Sequence, residues 1–279
     1  MPTDDAPADN ALTGNALAGN ALGDFLKARR GRVAPTPVQR DRSGRRRVAG
    51  LRREELAQRA GISEPYLVRL EQGVDRHPSP QVLQSLARAL ELDADTAAHL
   101  SSLAAPGPPR PSGAGPCEVS PDVHHLLDLW DAAPAYVRDR RFDVLAANKR
   151  ARALAAMYTP GHNLARDMFL GPEARALFPD WPAIAAQTVA ALRAESDPRD
   201  PGTARLVAEL SEDEEFRRLW ARHDARPSRD ELKHFAHPVV GELALRRQAL
   251  TVGGAEQQVI IVYQAPQGTP SAEALARLI

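Results

Sequence analysis

A single cysteine, Cys117, occurs in 279 residues. No disulfide can therefore form within the chain, and a reducing, cytoplasmic setting is the simplest reading. Long hydrophobic runs are missing too: none approaches the ~20 residues that a membrane helix needs. The basic start of a secretory signal is absent, since Asp4, Asp5 and Asp9 stand where positive charge would be required. There is no Cys/His spacing of the zinc type, no P-loop and no G-x-S-x-G. These absences argue against an enzyme and give no reason to expect a metal or cofactor. His124 and His125 are adjacent, so on a helix they would point about 100° apart and make a poor metal pair. His223, His234 and His237 are too scattered to define a site, and Asp213, Glu214 and Glu215 suit a helix N-terminus.

Net charge is also lacking, with 36 basic residues against 36 acidic ones, but the charges are unevenly spread. Residues 21–103 carry 15 Lys/Arg against 10 Asp/Glu, and residues 117–270 carry 19 against 22. A basic N-terminal part joined to a mildly acidic C-terminal part suits a DNA-binding module fused to a module that does not touch DNA.

Residues 1–20 are low in complexity, with Asn-Ala-Leu recurring at Asn10, Asn15 and Asn20. They read as a disordered leader whose third copy can continue into the helix that follows. Over 21–32, Leu22, Phe25 and Leu26 share one helical face, opposite Lys27, Arg29 and Arg30. Pro35, Pro37, Gly44 and Gly50 then break the period. That stretch, 33–50, is a basic loop holding Arg40, Arg42, Arg45, Arg46 and Arg47 against Asp41. Short helices are expected over 52–60, 63–72 and 79–91, with a fourth capped by Asp93. Residues 105–116 (APGPPRPSGAGP) form a Pro/Gly linker.

The C-terminal half reads as mixed. A helix starts at Ser120-Pro121, and two short strands flank a turn at Asp139–Arg141. Helices are expected near 148–157, over 182–195 and over 202–222, with an irregular stretch around Gly161 and Gly171. Ser211 with Glu214, and Ser228 with Glu231, fit capping boxes. Strands are expected over 232–240, 242–252 and 257–264, with Gly253-Gly254 as a hairpin turn. In the middle strand Leu243 and Leu245 share one parity while Leu250 and Val252 take the other, which a bulge near Arg246-Arg247 would explain.

Residues 52–73 carry the functional argument. A short helix, a glycine turn at Gly61 and a second short helix make a helix-turn-helix, whose second helix enters the major groove. Leu56, Ala57, Ala60, Ile62, Leu67 and Leu70 supply the wedge between the helices, and Ala57 is small where they cross. Ser63 suits the N-cap and Pro65 the first turn. Glu64, Pro65, Val68 and Arg69 project outward. Arg69 is the candidate for a bidentate contact with guanine, and Glu64 for accepting from a cytosine amine. Arg53, Tyr66, Arg76 and His77 surround this face and suit phosphates. Arg45, Arg46 and Arg47 are candidates for gripping backbone phosphates or a neighbouring minor groove.

The run REELAQRAGISEPYLVRLEQG at 53–73 resembles the lambda-repressor-like (Xre) regulators: Leu-Ala in the first helix, Gly in the turn, Leu-Glu-x-Gly at the end of the second. The connection over 33–51 is longer and more basic than that family's compact pattern. Arg-Arg-Glu-Glu at 52–55, DRHPSP at 75–80, FDVLAAN at 142–148, FRRLWARHD at 216–224 and HPVVGEL at 237–243 extend the resemblance to the actinobacterial MmyB-like regulators over nearly all of 21–279. The resemblance implies a PAS-like sensor with a central antiparallel sheet, a fatty-acid-like or other small apolar ligand, and dimers on double-stranded DNA. It also implies control of a neighbouring gene such as a short-chain dehydrogenase/reductase.

The aromatic residues of the C-terminal half, Tyr136, Phe142, Phe169, Trp181, Phe216, Trp220 and Phe235 among them, are candidates to line an apolar pocket. By the resemblance, Asn148, Arg222 and His223 are candidates for its polar end; alternatively Asn148 caps a turn, and Arg222 and His223 tie helix to sheet. The resulting reading is α+β: an N-terminal all-α lambda-repressor-like helix-turn-helix domain followed by a PAS-like α/β ligand-sensing domain. Its parts are a leader at 1–20, the DNA-binding domain at 21–104, a linker at 105–117 and the MmyB-type ligand-binding domain at 118–279. The expected function is sequence-specific transcription regulation, with repression the expected sign. The alternative keeps the DNA-binding domain but makes the C-terminal one a dimerisation or protein-interaction module without small ligand. A third reading, an enzyme with a regulatory DNA-binding domain, lacks any nucleophile–base or metal pattern.

Overall fold

The computed structural model describes residues 20–34, 50–105, 118–229, 231–255 and 257–278. The leader, apart from Asn20, the basic loop with Arg45, Arg46 and Arg47, and the linker with Cys117 lie outside the described residues. The chain divides into two compact units. The first is drawn from Met1–Pro108 with the short stretches Pro198–Ala204 and Ala221–His223, and the second from the remainder.

The described part of the first unit contains five α-helices: α1 (Ala21–Arg30), α2 (Arg53–Ala60), α3 (Glu64–Glu71), α4 (Pro80–Ala89) and α5 (Ala94–Ala104). Each begins where a side chain satisfies an orphan backbone N–H. Asn20 accepts from Gly23, Ser63 from Tyr66, Ser79 from Val82 and Asp93 from Thr96. On α2 the Glu55 carboxylate reaches back to accept the Arg52 N–H at 2.6 Å. Between α2 and α3 the chain turns at Gly61, whose φ of +66° lies in the left-handed region that glycine occupies without cost. Leu56, Ala57, Ala60, Leu67 and Leu70 are buried together with Phe25, Leu26 and Leu86, and Ile62 packs against them. Burial of a leucine such as Leu67 or Leu70 contributes ~2 kcal/mol, so this wedge, more than helix propensity, holds two eight-residue helices in place.

The second unit opens with α6 (Pro121–Leu129), then β1 (Ala135–Arg138), β2 (Val144–Ala147), α7 (Lys149–Leu154) and a 3-10 turn at Ala156–Tyr158. Next come α8 (Leu164–Leu170), α9 (Ala174–Leu177), α10 (Trp181–Glu195), α11 (Pro201–Leu210) and α12 (Glu214–Trp220). The chain then returns as β3 (Glu231–His237), β4 (Gly241–Thr251), β5 (Val259–Gln264) and α13 (Pro270–Ala276). The five strands form one sheet in the order β2-β1-β5-β4-β3, every neighbouring pair antiparallel. Both faces are used. Tyr136, Phe235, Leu243, Leu245, Ile261 and Tyr263 point into the larger core with Phe169, Trp181, Val189 and Phe216. The opposite face, through Ala135, Val137, Ala146, Ile260 and Val262, is covered by Val119 and by Val123 and Leu127 of α6.

This two-sided sheet corrects one expectation. Strand β4 pairs with β3 and β5 in unbroken register through Arg246 and Arg247, so no bulge lies there. The parity change is a change of face: Leu243 and Leu245 belong to the larger core, while Val252 packs with the smaller cluster and Leu250 is 44% exposed. The irregularity in the sheet lies instead between Val137 and Arg138.

Other boundaries shift for local reasons. The helix expected over 148–157 stops at Leu154, because Ala155 turns extended at φ −163°. The helix expected over 202–222 is two, and Asp213 caps the second by accepting from Phe216. Ser211, expected as that cap, instead donates to the Val207 carbonyl at 2.6 Å. Ser228 starts no helix; its N–H donates to Glu195. The stretch expected to be irregular holds α8, capped by Asn163 through the Ala165 and Arg166 N–H groups, and α9. Helix α13, begun by Thr269-Pro270, was not foreseen, although a Thr N-cap with Pro at the first helical position is its usual signature. Among the described residues, no helix is long and apolar enough to cross a membrane.

Candidate nucleic-acid interface and ligand-binding core

Helix α3 separates two kinds of side chain. Leu67, Leu70 and Glu71 are buried, whereas Ser63, Glu64, Pro65 and Arg69 are exposed and Tyr66 and Val68 half-buried. Neither the Glu64 carboxylate nor the Arg69 guanidinium has a hydrogen bond or ion pair among the described residues. Both are free to meet base edges. The Tyr66 hydroxyl is held above its ordinary pKa by burial first and by Asp75 second, with Arg69 opposing; it stays a neutral donor. Just beyond the helix, Arg76 Nε donates to the Gly73 carbonyl at 2.9 Å, and His77 Nδ1 stands 3.3 Å from the Ala104 carbonyl.

Arg53, expected at a phosphate, is half committed elsewhere. Its Nε lies 2.7 Å from Glu71 Oε2, with the Arg53 side chain 48% exposed. Glu71 is fully buried and also receives Arg30. The Glu of the Leu-Glu-x-Gly run is thus a hub inside the fold: its carboxylate ties α1 and α2 to the end of α3, and its backbone carbonyl accepts from Asn20 Nδ2 at 2.8 Å. Ser63 acts as the cap of α3.

In the second unit the expected pocket residues divide. Tyr136, Phe169, Trp181, Phe216 and Phe235 are all buried in one core, with Trp220 packed against it. Their rings interlock: Phe169 meets Trp181 and Phe216 edge-on at 5.9 and 5.2 Å, and Phe216 stacks on Trp220 at 5.5 Å. Trp181 Nε1 donates to the Met168 carbonyl at 3.1 Å, and the Arg193 guanidinium covers Trp220 at 3.7 Å. Phe142 sits in a turn at φ +71° under the Arg138 guanidinium, 4.1 Å from its ring centre.

Asn148 does not present a free amide. Its Oδ1 accepts from Ala135 and Ala151, and its Nδ2 donates to the Trp130 and Ala133 carbonyls at 2.9 and 2.8 Å. Every hydrogen-bonding position of that amide is used by the fold. Arg222 and His223 belong to the first unit; the chain has left α12 at Trp220, and His223 adopts φ +52°. The seven aromatic candidates lie in or against one core of the second unit.

The inner face of the sheet carries polar groups besides the expected Tyr136. Tyr136, Tyr158 and Tyr263 are buried as a trio, with Tyr136 stacked on Tyr158 at 4.7 Å and the Tyr158 and Tyr263 hydroxyls 3.2 Å apart. Burial raises all three above the ordinary tyrosine value, so they remain neutral phenols. Arg247 and Lys233 share this face. The signal for Arg247 was its parity with Leu243 and Leu245, which the assumed bulge concealed. His237 of the HPVVGEL run is also structural: Nε2 donates to the Ala153 carbonyl at 3.0 Å, which leaves Nδ1 to accept from Val239 and Val240. Among the described residues, no group of three His, Cys, Asp or Glu could hold a metal ion.

The family model for an MmyB-like transcription regulator ligand binding domain matches residues 119–278. The chain belongs to the MmyB-like transcription regulators. A helix-turn-helix domain model matches residues 21–100 of the same chain, covering α1 to most of α5. A DNA-binding domain is thus followed by an MmyB-like ligand-binding domain, and neither description is of an enzyme. No curated protein matches the chain.

Proposed function

We propose that the protein is a cytoplasmic, ligand-controlled repressor that binds duplex DNA as a homodimer. Helix α3 lies in the major groove, where Arg69 reads guanine and Glu64 reads cytosine. Arg53, Tyr66, Arg76 and His77 position the duplex through its phosphates, and Arg45, Arg46 and Arg47 add salt-sensitive affinity from the basic loop. The observation that carries this reading is the outer face of α3, where an acidic and a basic side chain, Glu64 and Arg69, have no hydrogen bond or ion pair among the described residues. A dimer places two such helices about one helical turn apart on the operator.

The MmyB-like domain is read as a PAS-like sensor for a small apolar, fatty-acid-like ligand. The five-stranded antiparallel sheet facing an aromatic core supports this. Ligand shifts the population between two placements of the DNA-binding domains in the dimer, and half-site spacing converts that shift into affinity. Selection of bound duplexes from a random pool, with and without ligand extracted from cells, tests both parts. The expected result is a palindromic site whose recovery changes with ligand. An unselective pool would overturn the regulator reading, and a site indifferent to any extract would overturn the sensor reading.

A further inference from the structure

Helix α3 carries an apolar pair on the side turned away from its core. Leu67, Leu70 and Glu71 fill the inner side. Ile62 and Tyr66 pack against the core of that unit, whereas Val68, half-buried, neither belongs to that core nor packs on it among the described residues. Pro65 is exposed. Its ring has a local reason, because proline suits the first turn of a helix. Val68 has no such reason. A β-branched residue loses side-chain freedom in a helix, and α3 has only eight residues with which to offset that loss. Neither core packing nor helix formation accounts for a valine at this position.

Side chains three or four positions apart are neighbours on a helix surface. Pro65 and Val68 therefore stand side by side. Glu64 lies one turn before Val68, and Arg69 one turn after Pro65, both exposed. The apolar pair thus separates an acceptor from a donor on the face that meets the duplex. The major groove offers a matching feature. A pyrimidine that carries a methyl on C5 shows an apolar bump directly beside the hydrogen-bonding group on C4. Closing apolar side chains over that methyl removes both surfaces from water. A pyrimidine without the methyl leaves them wet.

We propose that Pro65 and Val68 receive the 5-methyl group of one pyrimidine in each half-site. The operator is then recognised by a methyl group as well as by hydrogen bonds. This rests on α3 as the helix that enters the major groove, and it adds a base feature to that reading. Thymine and 5-methylcytosine carry the same methyl at the same place. They differ in the group beside it, an acceptor in thymine and an amine in 5-methylcytosine, the second of which suits Glu64.

The test uses the duplex that the full chain selects from a random pool. Uracil replaces thymine, and 5-methylcytosine replaces cytosine, one position at a time, and the affinity of each duplex is measured. At one pyrimidine per half-site the methylated base should bind tighter than its unmethylated counterpart by about fourfold, the worth of one buried methyl group. Thymine over uracil assigns the methyl to thymine; 5-methylcytosine over cytosine assigns it to methylated cytosine. Val68→Ala should lose the methyl preference while guanine is still preferred where Arg69 reads it. A methyl preference left intact in Val68→Ala overturns the proposal. Should that variant not fold by circular dichroism, an undiminished preference in Pro65→Ala overturns it equally. A selected site whose methylated and unmethylated pyrimidines all bind the wild type alike overturns methyl reading while groove entry by α3 stands. A pool that yields no site overturns both.

Discussion

Arg30 and Glu71 form a fork inside the DNA-binding domain: Arg30 Nε lies 2.7 Å from Glu71 Oε1, and Nη2 lies 3.4 Å from Oε2. The carboxylate is fully buried and the guanidinium 15% exposed. The same guanidinium donates to the Leu51 carbonyl at 2.9 Å, so one pair anchors α1, the start of α2 and the end of the recognition helix. Glu71→Gln strands a largely buried positive charge and should cost about 3 kcal/mol. Arg53→Ala removes a half-exposed partner and should cost under about 1 kcal/mol. Urea unfolding of the two variants checks the ranking; equal losses would contradict the hub assigned to Glu71.

Gly61 and Gly73 separate strain from crowding. Both have positive φ, +66° and +71°. A Cβ at Gly61 would meet nothing within 4 Å, whereas one at Gly73 would fall 2.7 Å from Asn20 Oδ1. Gly61→Ala should therefore cost about 1 kcal/mol from backbone strain alone. Gly73→Ala adds displacement of the Asn20 cap and should cost about 2 kcal/mol. Thermal unfolding measures both, and the order reversed would show that the caps contribute little.

Much of this architecture was legible because its signals are local. Ser63-Glu64-Pro65, Ser79-Pro80 and Asp93 announce helix starts through the hydrogen bonds that their side chains make within three residues. The leucines of α2 to α4 repeat at helical spacing. Distant partners were not legible. Glu71 looks like any exposed helix glutamate until α1 brings Arg30 to it. Asn148 fits a ligand contact until β1 and the end of α6 supply its partners. Arg247 was lost when a parity change was read as a bulge instead of as a sheet buried on both sides. A one-sided sheet tolerates no such change, and pattern alone does not tell how many faces are covered.

The role of Asn148 as a structural clamp has its own consequence. Asn148→Ala takes their partner from the Ala135 and Ala151 N–H groups and from the Ala133 carbonyl, and removes the cap of α7. The expected loss is about 2–4 kcal/mol, more than a simple cap deletion. Denaturant unfolding checks it. A variant of wild-type stability with weakened ligand binding would instead restore Asn148 to the pocket.

Lys233 sets a pH dependence. Its folded-state value of about 8 lies below the ordinary 10.5. Between those values the unfolded chain holds a proton that the folded chain has released, so the contribution of Lys233 to stability rises with pH across about 8 to 10.5. Below about 8 both states are charged and the full penalty of burying the cation applies. Lys233→Met should therefore gain ~1–3 kcal/mol at pH 7 and show a flatter profile up to pH 10. Unfolding at pH 7, 8.5 and 10 would reveal it; parallel profiles for wild type and variant would place the titration elsewhere.

The outer face of the recognition helix is tested most directly by Arg69→Ala against the selected operator and a scrambled duplex, at one fixed salt concentration. Arg69 is exposed and has no ion pair among the described residues, so the variant should fold with stability within about 0.5 kcal/mol of wild type. It should lose about 10- to 100-fold in operator affinity while keeping its weak, salt-sensitive hold on the scrambled duplex. Undiminished preference for the operator in a folded Arg69→Ala protein would contradict base reading by this helix.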